Sequence, residues 1–252
     1  MSDLIVTANE QLNNQYFLLK LTSKETLPEM LPGQFAEVLV DNSATTFLRR
    51  PISIHFVDTA NNELWLLVQK IGDGTRKMGE FVVGQSVNLL FPLGNSFSMP
   101  LSHQKVLLIG GGVGVAPLLM MGVELQKKSI QAVFLLGARS KNDLLELDVF
   151  AKYGKVYTTT EDGSHGEKGY VTHHSLLKEK FDKLYTCGPT PMMKAVAAYA
   201  LKNNIDCEVS LENSMACGIG ACLCCVEDTK EGHKCVCTDG PVFNIKDLKW
   251  QI

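Results

Sequence analysis

The chain has 252 residues, of which 45% are hydrophobic and 20% charged, so it can form one large domain or two to three small ones, each with an apolar core. Its formal net charge is −3, which leaves no excess of basic residues for nucleic acid or for an anionic membrane surface. The composition therefore predicts a soluble globular protein with no nucleic-acid partner.

Two features of the sequence bear on location. The first fifteen residues lack the basic start and apolar centre of a secretion signal, which favours the cytoplasm. The uncharged run 106–123 reaches the lower length limit of a membrane span, but it contains five glycines and Pro117. We interpret it as a buried strand and a loop that lead into a helix, and we expect no contact with a membrane.

Residues 1–100 carry short apolar or alternating runs separated by turn residues. Strands are predicted at 16–21, 35–40, 51–57, 64–71 and 86–91, with turn-forming pairs such as Pro32-Gly33 between them. Short strands at this spacing are typical of an antiparallel barrel or sandwich.

Residues 101–211 alternate between strand and helix patterns. Strands are predicted at 105–109, 131–136, 156–159, 184–187 and 207–211, and helices at 116–128, 143–153 and 191–203. This alternation predicts a parallel α/β sheet with helices on both faces. Residues 212–252 are rich in cysteine and glycine, so we expect a small third module that is held together by a bound inorganic centre.

Six of the eight cysteines lie in one short window near the C-terminus. In a reducing compartment, clustered thiols are typical of metal ligands rather than of disulfides. Four of them follow a C-x₄-C-x₂-C pattern with the fourth twelve residues later, which is the plant-type spacing of a [2Fe–2S] site. These four are Cys217, Cys222, Cys225 and Cys237.

Two alternatives to this ligand set stay open. Four thiolates also suit Zn²⁺, although structural zinc sites usually show two CxxC-like pairs rather than a four-residue loop followed by one pair. Cys235 could replace Cys237 as the fourth ligand, because it lies only two residues away.

A glycine-rich turn follows the first predicted strand of the α/β segment. Glycines at a strand end that leads into a helix let the backbone approach a pyrophosphate, so the turn is a candidate nucleotide site. The match to G-x-G-x-x-G is incomplete because Val115 occupies the third glycine position, and an ordinary structural turn is the alternative. The candidate residues are Gly110, Gly111, Gly112 and Gly114.

The barrel segment holds two candidate anion sites. Arg50 can pair with a phosphate and Ser53 can donate a hydrogen bond beside it. Gly74 and Thr75 offer backbone donors at a possible helix start, where an ordinary capped turn is the alternative.

Four motifs occur in the order of a known superfamily: LPGQF at 31–35, RPIS at 50–53, GGGVGVAPL at 110–118 and CGPTPMM at 187–193. Together they resemble the ferredoxin–NADP⁺ reductase superfamily, which implies an FAD-binding barrel followed by a nucleotide-binding α/β domain. The C-terminal stretches 210–229 and 235–243 resemble the electron-transfer subunits of two-subunit, NAD-linked dihydroorotate dehydrogenases.

The resemblance covers nearly the whole chain and implies a set of site residues. It places FAD against three segments of the barrel and the [2Fe–2S] cluster on the four cysteines of the plant-type pattern. The implied FAD contacts are Arg50, Pro51, Ile52, Ser53, Leu67, Val68, Gln69, Gly74 and Thr75.

The resemblance also implies a partner and a direction of electron flow. A separate FMN-containing subunit would oxidise dihydroorotate, and electrons would pass through the cluster and FAD to NAD⁺ in pyrimidine biosynthesis, in a heterotetramer with two copies of each subunit. No side chain of this chain is then expected to act as a nucleophile or general base. The alternatives are a subunit of another NAD(P)H–ferredoxin-type oxidoreductase, or a zinc-stabilised binding module without enzymatic activity.

Overall fold

The N-terminal half forms a closed antiparallel barrel of six strands in the order β1-β2-β5-β4-β3-β6. The computed structural model describes residues 1–41 and 43–251, so Asn42 and Ile252, the last residue of the expected third module, lie outside the described residues. The strands are β1 (Ser2–Gln11), β2 (Tyr16–Thr22), β3 (Phe35–Val38), β4 (Arg50–Asp58), β5 (Glu63–Gln69) and β6 (Ser86–Leu93).

The barrel confirms the five predicted strands and adds a sixth. Strand β1 was missed, although Leu4 and Val6 alternate with more exposed residues and point into the barrel core. It closes the barrel by pairing with β2 on one side and β6 on the other. A short helix, α1 (Asp73–Met78), leads from β5 toward β6.

The second half is built on a seven-stranded sheet in the order β10-β9-β8-β7-β11-β12-β15. All neighbouring strands are parallel except β12 and β15, which run antiparallel. The strands are β7 (Val106–Gly111), β8 (Ala132–Ala138), β9 (Gly154–Thr160), β10 (Glu167–Lys168), β11 (Lys183–Cys187), β12 (Asp206–Ser210) and β15 (Val242–Asn244).

Helices cover both faces of this sheet, as predicted. Helix α2 (Ala116–Lys127) packs on one face with Val106 and Leu108, and helix α4 (Thr190–Lys202) packs on the other with Leu107 and Ile109. Successive residues of β7 therefore contribute to opposite cores, which is why the strand is apolar throughout. Among the described residues no helix is long and apolar enough to cross a membrane.

The helix predicted at 143–153 is confirmed only in part. A single 3-10 turn covers Lys141–Asp143, Leu144 is extended, and only Leu147–Phe150 (α3) is helical. The break lies at Glu146, whose backbone is left-handed, with φ at 50° and ψ at 37°. Because the side chain of Glu146 is held by a contact to the barrel, tertiary structure overrides the helical pattern at this position.

The C-terminal segment has more regular structure than its sequence predicts. Strands β13 (Val226–Thr229) and β14 (Gly232–Cys235) form a hairpin between the third and fourth cysteines of the predicted ligand set. Strand β15 then joins the edge of the main sheet, so the cysteine segment is tied at its end to the α/β core.

Candidate cofactor-binding sites

Strands β4 and β5 of the barrel diverge beside the predicted FAD residues. Their pairing runs from Asp58 and Glu63 to Ile54 and Leu66 and ends there. Residues 50–53 continue in register with β3, while residues 67–69 continue in register with β2. The two predicted segments, Arg50 to Ser53 and Leu67 to Gln69, therefore flank one gap in the barrel wall.

A cleft of about 340 Å³ lies beside this gap. Arg50, Gly74 and Thr75 line it together with Thr45, Thr46 and residues 71–73, so three predicted FAD residues meet in one concave site. Nη1 of Arg50 donates to the carbonyl oxygens of Leu48 and Arg49 at 3.0 Å each, which fixes the orientation of the guanidinium group.

Arg50 packs closely against the backbone of Gly74 because Gly74 has no side chain. A Cβ atom at Gly74 would lie 2.7 Å from Nε of Arg50. The hydroxyl of Thr75 is engaged in the turn, where it accepts from the N–H groups of Ile71 and Gly72. An anion bound at this turn would therefore meet the backbone N–H groups of the first helical turn and one arginine side chain.

The glycine-rich turn lies at the carboxyl edge of the parallel sheet. Gly110 and Gly111 end β7, Gly112 has φ at +56°, and a 3-10 turn runs directly into α2. A Cβ at Gly114 would lie 2.4 Å from Cα of Gly188 in the loop after β11. The two loops therefore approach backbone to backbone, and they form the crevice in which parallel α/β sheets bind nucleotides.

The gap in the barrel faces this turn. Tyr16 and Leu67 of the barrel share one apolar core with Val115 and Ala116. The hydroxyl of Tyr16 lies 3.7 Å from the position that a Cβ of Gly112 would take. The flavin-type and nucleotide-type residues of the sequence are thus brought to one junction between the two domains.

The four predicted ligand cysteines lie in two neighbouring pairs at the C-terminal loop. Cys225 and Cys237 are buried, Cys217 is half-buried and Cys222 is exposed. The N–H of Gly220 donates to Sγ of Cys237 at 3.1 Å, the N–H of Cys237 to Sγ of Cys225 at 3.4 Å, and the N–H of Ile219 to Sγ of Cys217 at 3.5 Å. Backbone donors of this kind stabilise thiolate sulfur.

The electrostatics of the first cysteine agree with that arrangement. The N–H of Ile219, followed by the Cys222 thiol and the N–H groups of residues 222 and 221, lowers the pKa of Cys217 to about 6. A thiolate at neutral pH is the form that binds iron. Within residues 1–41 and 43–251, no three His, Cys, Asp or Glu side chains are placed as ligands of one metal ion, so the fit rests on the donor set and the N–H groups.

Cys235 differs from Cys237 in its surroundings. Its backbone is held by Asp239, whose carboxylate accepts from the N–H of Cys235 at 2.8 Å, and it pairs with Val226 in the hairpin. Burial raises the pKa of both thiols, to about 12 for Cys237, so the pKa does not distinguish them. Among the described residues no backbone N–H donates to its sulfur, whereas Gly220 donates to Cys237.

The sequence reasoning missed a buried carboxylate between the barrel and the cysteine loop. Glu37 in β3 is fully buried, and neither of its carboxylate oxygens has a hydrogen-bond partner among the described residues. Burial raises its pKa to about 7, against the opposing effect of Arg49. A Cβ at Gly218 would lie 2.7 Å from Cγ of Glu37, so the cysteine loop rests directly on this strand. The signal in the sequence is a glutamate inside the otherwise apolar run FAEV.

Two protein families match parts of the chain. One is described as the iron-sulfur cluster binding domain of dihydroorotate dehydrogenase B and matches residues 212–249. The other is described as an oxidoreductase NAD-binding domain and matches residues 108–198.

Full-length relatives extend the match to the barrel. A protein of Fusobacterium nucleatum is 36% identical over 258 aligned positions, covering 99% of this chain and 98% of its own length, and is named dihydroorotate dehydrogenase B (NAD⁺), electron transfer subunit. This chain belongs to that family. A relative of the same name from Bacillus cereus is 38% identical and covers 97% of the chain and 96% of its own length. A third from a Geobacillus species is 40% identical over 86% of each chain.

Solved structures agree with the family fold. A chain from a structure of the NADH-dependent reduced ferredoxin-NADP oxidoreductase is 27% identical, has a TM-score of 0.89 and covers 99% of this chain and 91% of its own length. A ferredoxin reductase of carbazole 1,9a-dioxygenase, at 20% identity and a TM-score of 0.69 over 81% of this chain and 65% of its own, shares the fold. The predicted barrel followed by a parallel α/β domain and an iron–sulfur segment is therefore confirmed.

Proposed function

We propose that this chain transfers electrons to NAD⁺ as the electron-transfer component of a dihydroorotate-oxidising enzyme in pyrimidine biosynthesis. Its cofactors are FAD and a [2Fe–2S] cluster, with NAD⁺ as the co-substrate. The observation that carries the proposal is that the three sites lie next to one another in the fold. Strand β3 contacts the cysteine loop through Glu37 and pairs with the flavin-type segment of β4. A single strand therefore lies between the cysteine loop and that segment.

The candidate residues fall into three binding sites. We assign the cluster to Cys217, Cys222, Cys225 and Cys237, because N–H donors converge on three of these sulfurs. The segments at 50–53, 67–69 and 74–75 would hold FAD in the gap and the cleft of the barrel. Gly110, Gly111, Gly112 and Gly114 would hold the nucleotide diphosphate at the start of α2. Residues 1–100 would form the FAD-binding domain, residues 101–211 the nucleotide-binding domain and residues 212–252 the cluster-binding module.

Each bound group would supply a different part of the electron transfer. When bound, the cluster carries single electrons and the flavin exchanges either one electron or a hydride, which is the chemistry that links a one-electron centre to NAD⁺. The barrel wall and the apolar core around Tyr16 and Leu67 exclude water from the junction at which the nicotinamide would approach. The mechanism requires no general base from this chain.

The proposal includes a partner. An FMN-containing subunit would oxidise dihydroorotate and supply the electrons, in an assembly with two copies of each subunit. The exposed Cys222 lies on the outer side of the cysteine loop, which is the side that a donor subunit can approach closely. We place this assembly in the cytoplasm, where a reducing environment keeps cysteine thiols available as ligands.

Cofactor analysis of the anaerobically purified chain is the first test. We expect one FAD with about two irons and about two acid-labile sulfides per chain. NADH should reduce the bound flavin, and adding the purified FMN-containing subunit should produce NADH formation that depends on dihydroorotate. Zinc without flavin would contradict the proposal.

A second candidate is a subunit of another NAD(P)H–ferredoxin-type oxidoreductase. It is favoured by the likeness to the NADH-dependent ferredoxin-NADP oxidoreductase chain, which extends over 99% of this chain. The two candidates share the cofactors and differ in the electron donor. Copurification with an FMN-containing, dihydroorotate-oxidising subunit supports the first, and reduction of ferredoxin without any response to that subunit supports the second.

A further inference from the structure

A buried histidine connects the barrel to the α/β domain. His55 in β4 is fully buried, and each nitrogen of its ring lies close to an oxygen atom of the other domain. Nδ1 lies 2.9 Å from the carbonyl oxygen of Ala116, and Nε2 lies 2.7 Å from Oε2 of Glu146, which is itself only 8% exposed. The ring of Phe150, at 6.3 Å between centroids, adds to the apolar surroundings.

His55 and Ala116 lie at the points where the two cofactor sites begin. His55 occupies the bulge between Ile54 and Phe56, directly beyond the place where β4 and β5 diverge. Ala116 is the first residue of α2, directly after the glycine-rich turn. Helix α2 packs against β4 along this contact. The histidine therefore joins the end of the flavin-type gap to the start of the nucleotide-type helix.

The ring of His55 is oriented from two sides. A carbonyl oxygen only accepts, so Nδ1 of His55 carries a proton and donates to Ala116. On the other side, Nε2 lies 2.7 Å from Oε2 of Glu146 without the alignment of a hydrogen bond, so this is a close polar contact between two buried groups.

The backbone of Glu146 indicates that this contact is maintained against a local cost. Glu146 adopts a left-handed conformation, which is unfavourable for a residue with a Cβ, and it interrupts a sequence patterned as a helix. The conformation lets Glu146 end the extended stretch at Leu144 and point its side chain to His55.

We propose that His55 and Glu146 are positioning residues that hold the flavin-binding strand at a fixed distance from the nucleotide-binding turn. This inference rests on the proposed function, since a fixed distance matters only when a hydride passes between the two sites. Neither residue contacts the reacting atoms in this role. They act through β4 and α2, whose relative placement sets how closely the nicotinamide approaches the flavin.

Three variants separate the contact from the fold. Glu146→Ala removes the side chain that contacts Nε2 of His55, and Glu146→Gln keeps a neutral side chain of the same size in that contact. Both keep a Cβ on the left-handed backbone, so they differ only in the side-chain contact. Glu167→Ala is the matched control, because it removes the carboxylate that lies 3.6 Å from the buried His174 at the far edge of the sheet, away from the barrel.

The first measurement is amide hydrogen exchange on the chain as purified. We expect Glu146→Ala to speed exchange about tenfold at residues 52–56 and 114–118, with no such change in Glu146→Gln or Glu167→Ala. Unchanged exchange at both segments in Glu146→Ala would overturn the proposal. This readout does not depend on any activity.

The second measurement is the rate of flavin reduction by NADH in the loaded chain. We expect Glu146→Ala to lower the limiting rate by about tenfold or more, with FAD still bound and the dissociation constant for NADH changed by less than about threefold. Glu146→Gln should restore most of the rate. A limiting rate in Glu146→Ala equal to that of Glu167→Ala would contradict the positioning role.

The outcomes distinguish this inference from the proposed function. If the unaltered chain binds no flavin or is not reduced by NADH, the proposed function fails, while the exchange experiment still tests the contact. If the unaltered chain is reduced rapidly and Glu146→Ala is reduced equally fast, the function stands and the positioning role fails.

Discussion

The α/β sheet and the cysteine segment keep their shapes by different means. The sheet is held by apolar side chains on both faces, with strand β8 between two parallel neighbours and Leu135 fully buried within it. The loop at 217–225 instead relies on Gly218, which rests on the barrel, and on N–H groups directed at sulfur. The comparison shows that one region is stabilised by its own packing and the other by what it binds and contacts.

The largest effect should follow from removing one proposed cluster ligand. Cys222→Ala should abolish the cluster, because three thiolates leave one iron without its fourth ligand, while the barrel keeps FAD. Iron, sulfide and flavin content per chain measure this directly. Cys224→Ala is the control, since that thiol is also exposed and lies outside the ligand pattern. Loss of FAD together with the cluster would show that the two regions are not separable.

Truncating a core side chain should destabilise the α/β sheet. Leu135→Ala should lower the free energy of unfolding by about 2–5 kcal/mol, because it leaves a cavity in the sheet core. Urea denaturation followed by circular dichroism measures it. Leu201→Ala on α4, where the side chain is 46% exposed, should change stability by less than about 0.5 kcal/mol. A variant at 135 that loses iron before it loses secondary structure would break the comparison.

A glycine variant tests how the cysteine loop rests on the barrel. Gly218 has φ at +70° and its Cβ would meet Glu37, so Gly218→Ala should cost about 2–4 kcal/mol from backbone strain and overpacking. Gly232→Ala is the matched control, because Gly232 has φ at +111° but nothing within 4 Å of a Cβ. Thermal unfolding and cluster content should both be more affected at position 218. Equal losses at both positions would mean that only backbone strain matters.

The smallest effect should come from the buried carboxylate at the contact between the two regions. Since the pKa of Glu37 is raised to about 7, the folded chain binds a proton more tightly than the unfolded chain, and this contribution to stability is lost as pH rises from about 4.5 to about 7. Glu37→Gln removes the dependence. The free energy of unfolding of the variant, minus that of the parent chain, should be about 1–2 kcal/mol larger at pH 8 than at pH 5. Parallel stability profiles of the two chains would refute this.

The sequence predicted the fold where its patterns were local. Five barrel strands, the parallel sheet and the helices at α2 and α4 follow from alternation, apolar runs and turn residues. Strand β1 was within reach of the same reasoning, because Leu4 and Val6 alternate correctly. The cysteine spacing predicted an iron–sulfur site from four positions, and the matching family covers 212–249.

The sequence failed where distant contacts decide the backbone. The pattern at 143–153 is helical, yet the helix begins only after the left-handed Glu146, whose side chain contacts a histidine about ninety positions earlier in the chain. In the same way, no local pattern shows that Glu37 lies beneath Gly218.

The sequence by itself therefore determined most of the elements and the presence of an iron–sulfur segment, because periodicity and ligand spacing are properties of short segments. Only the tertiary structure decided that the gap between β4 and β5 faces the glycine-rich turn and that the cysteine loop rests on β3. These placements depend on how two cores pack against each other across the junction. Packing of that kind is decided by contacts between residues far apart in the chain, which leave no periodic trace in the sequence.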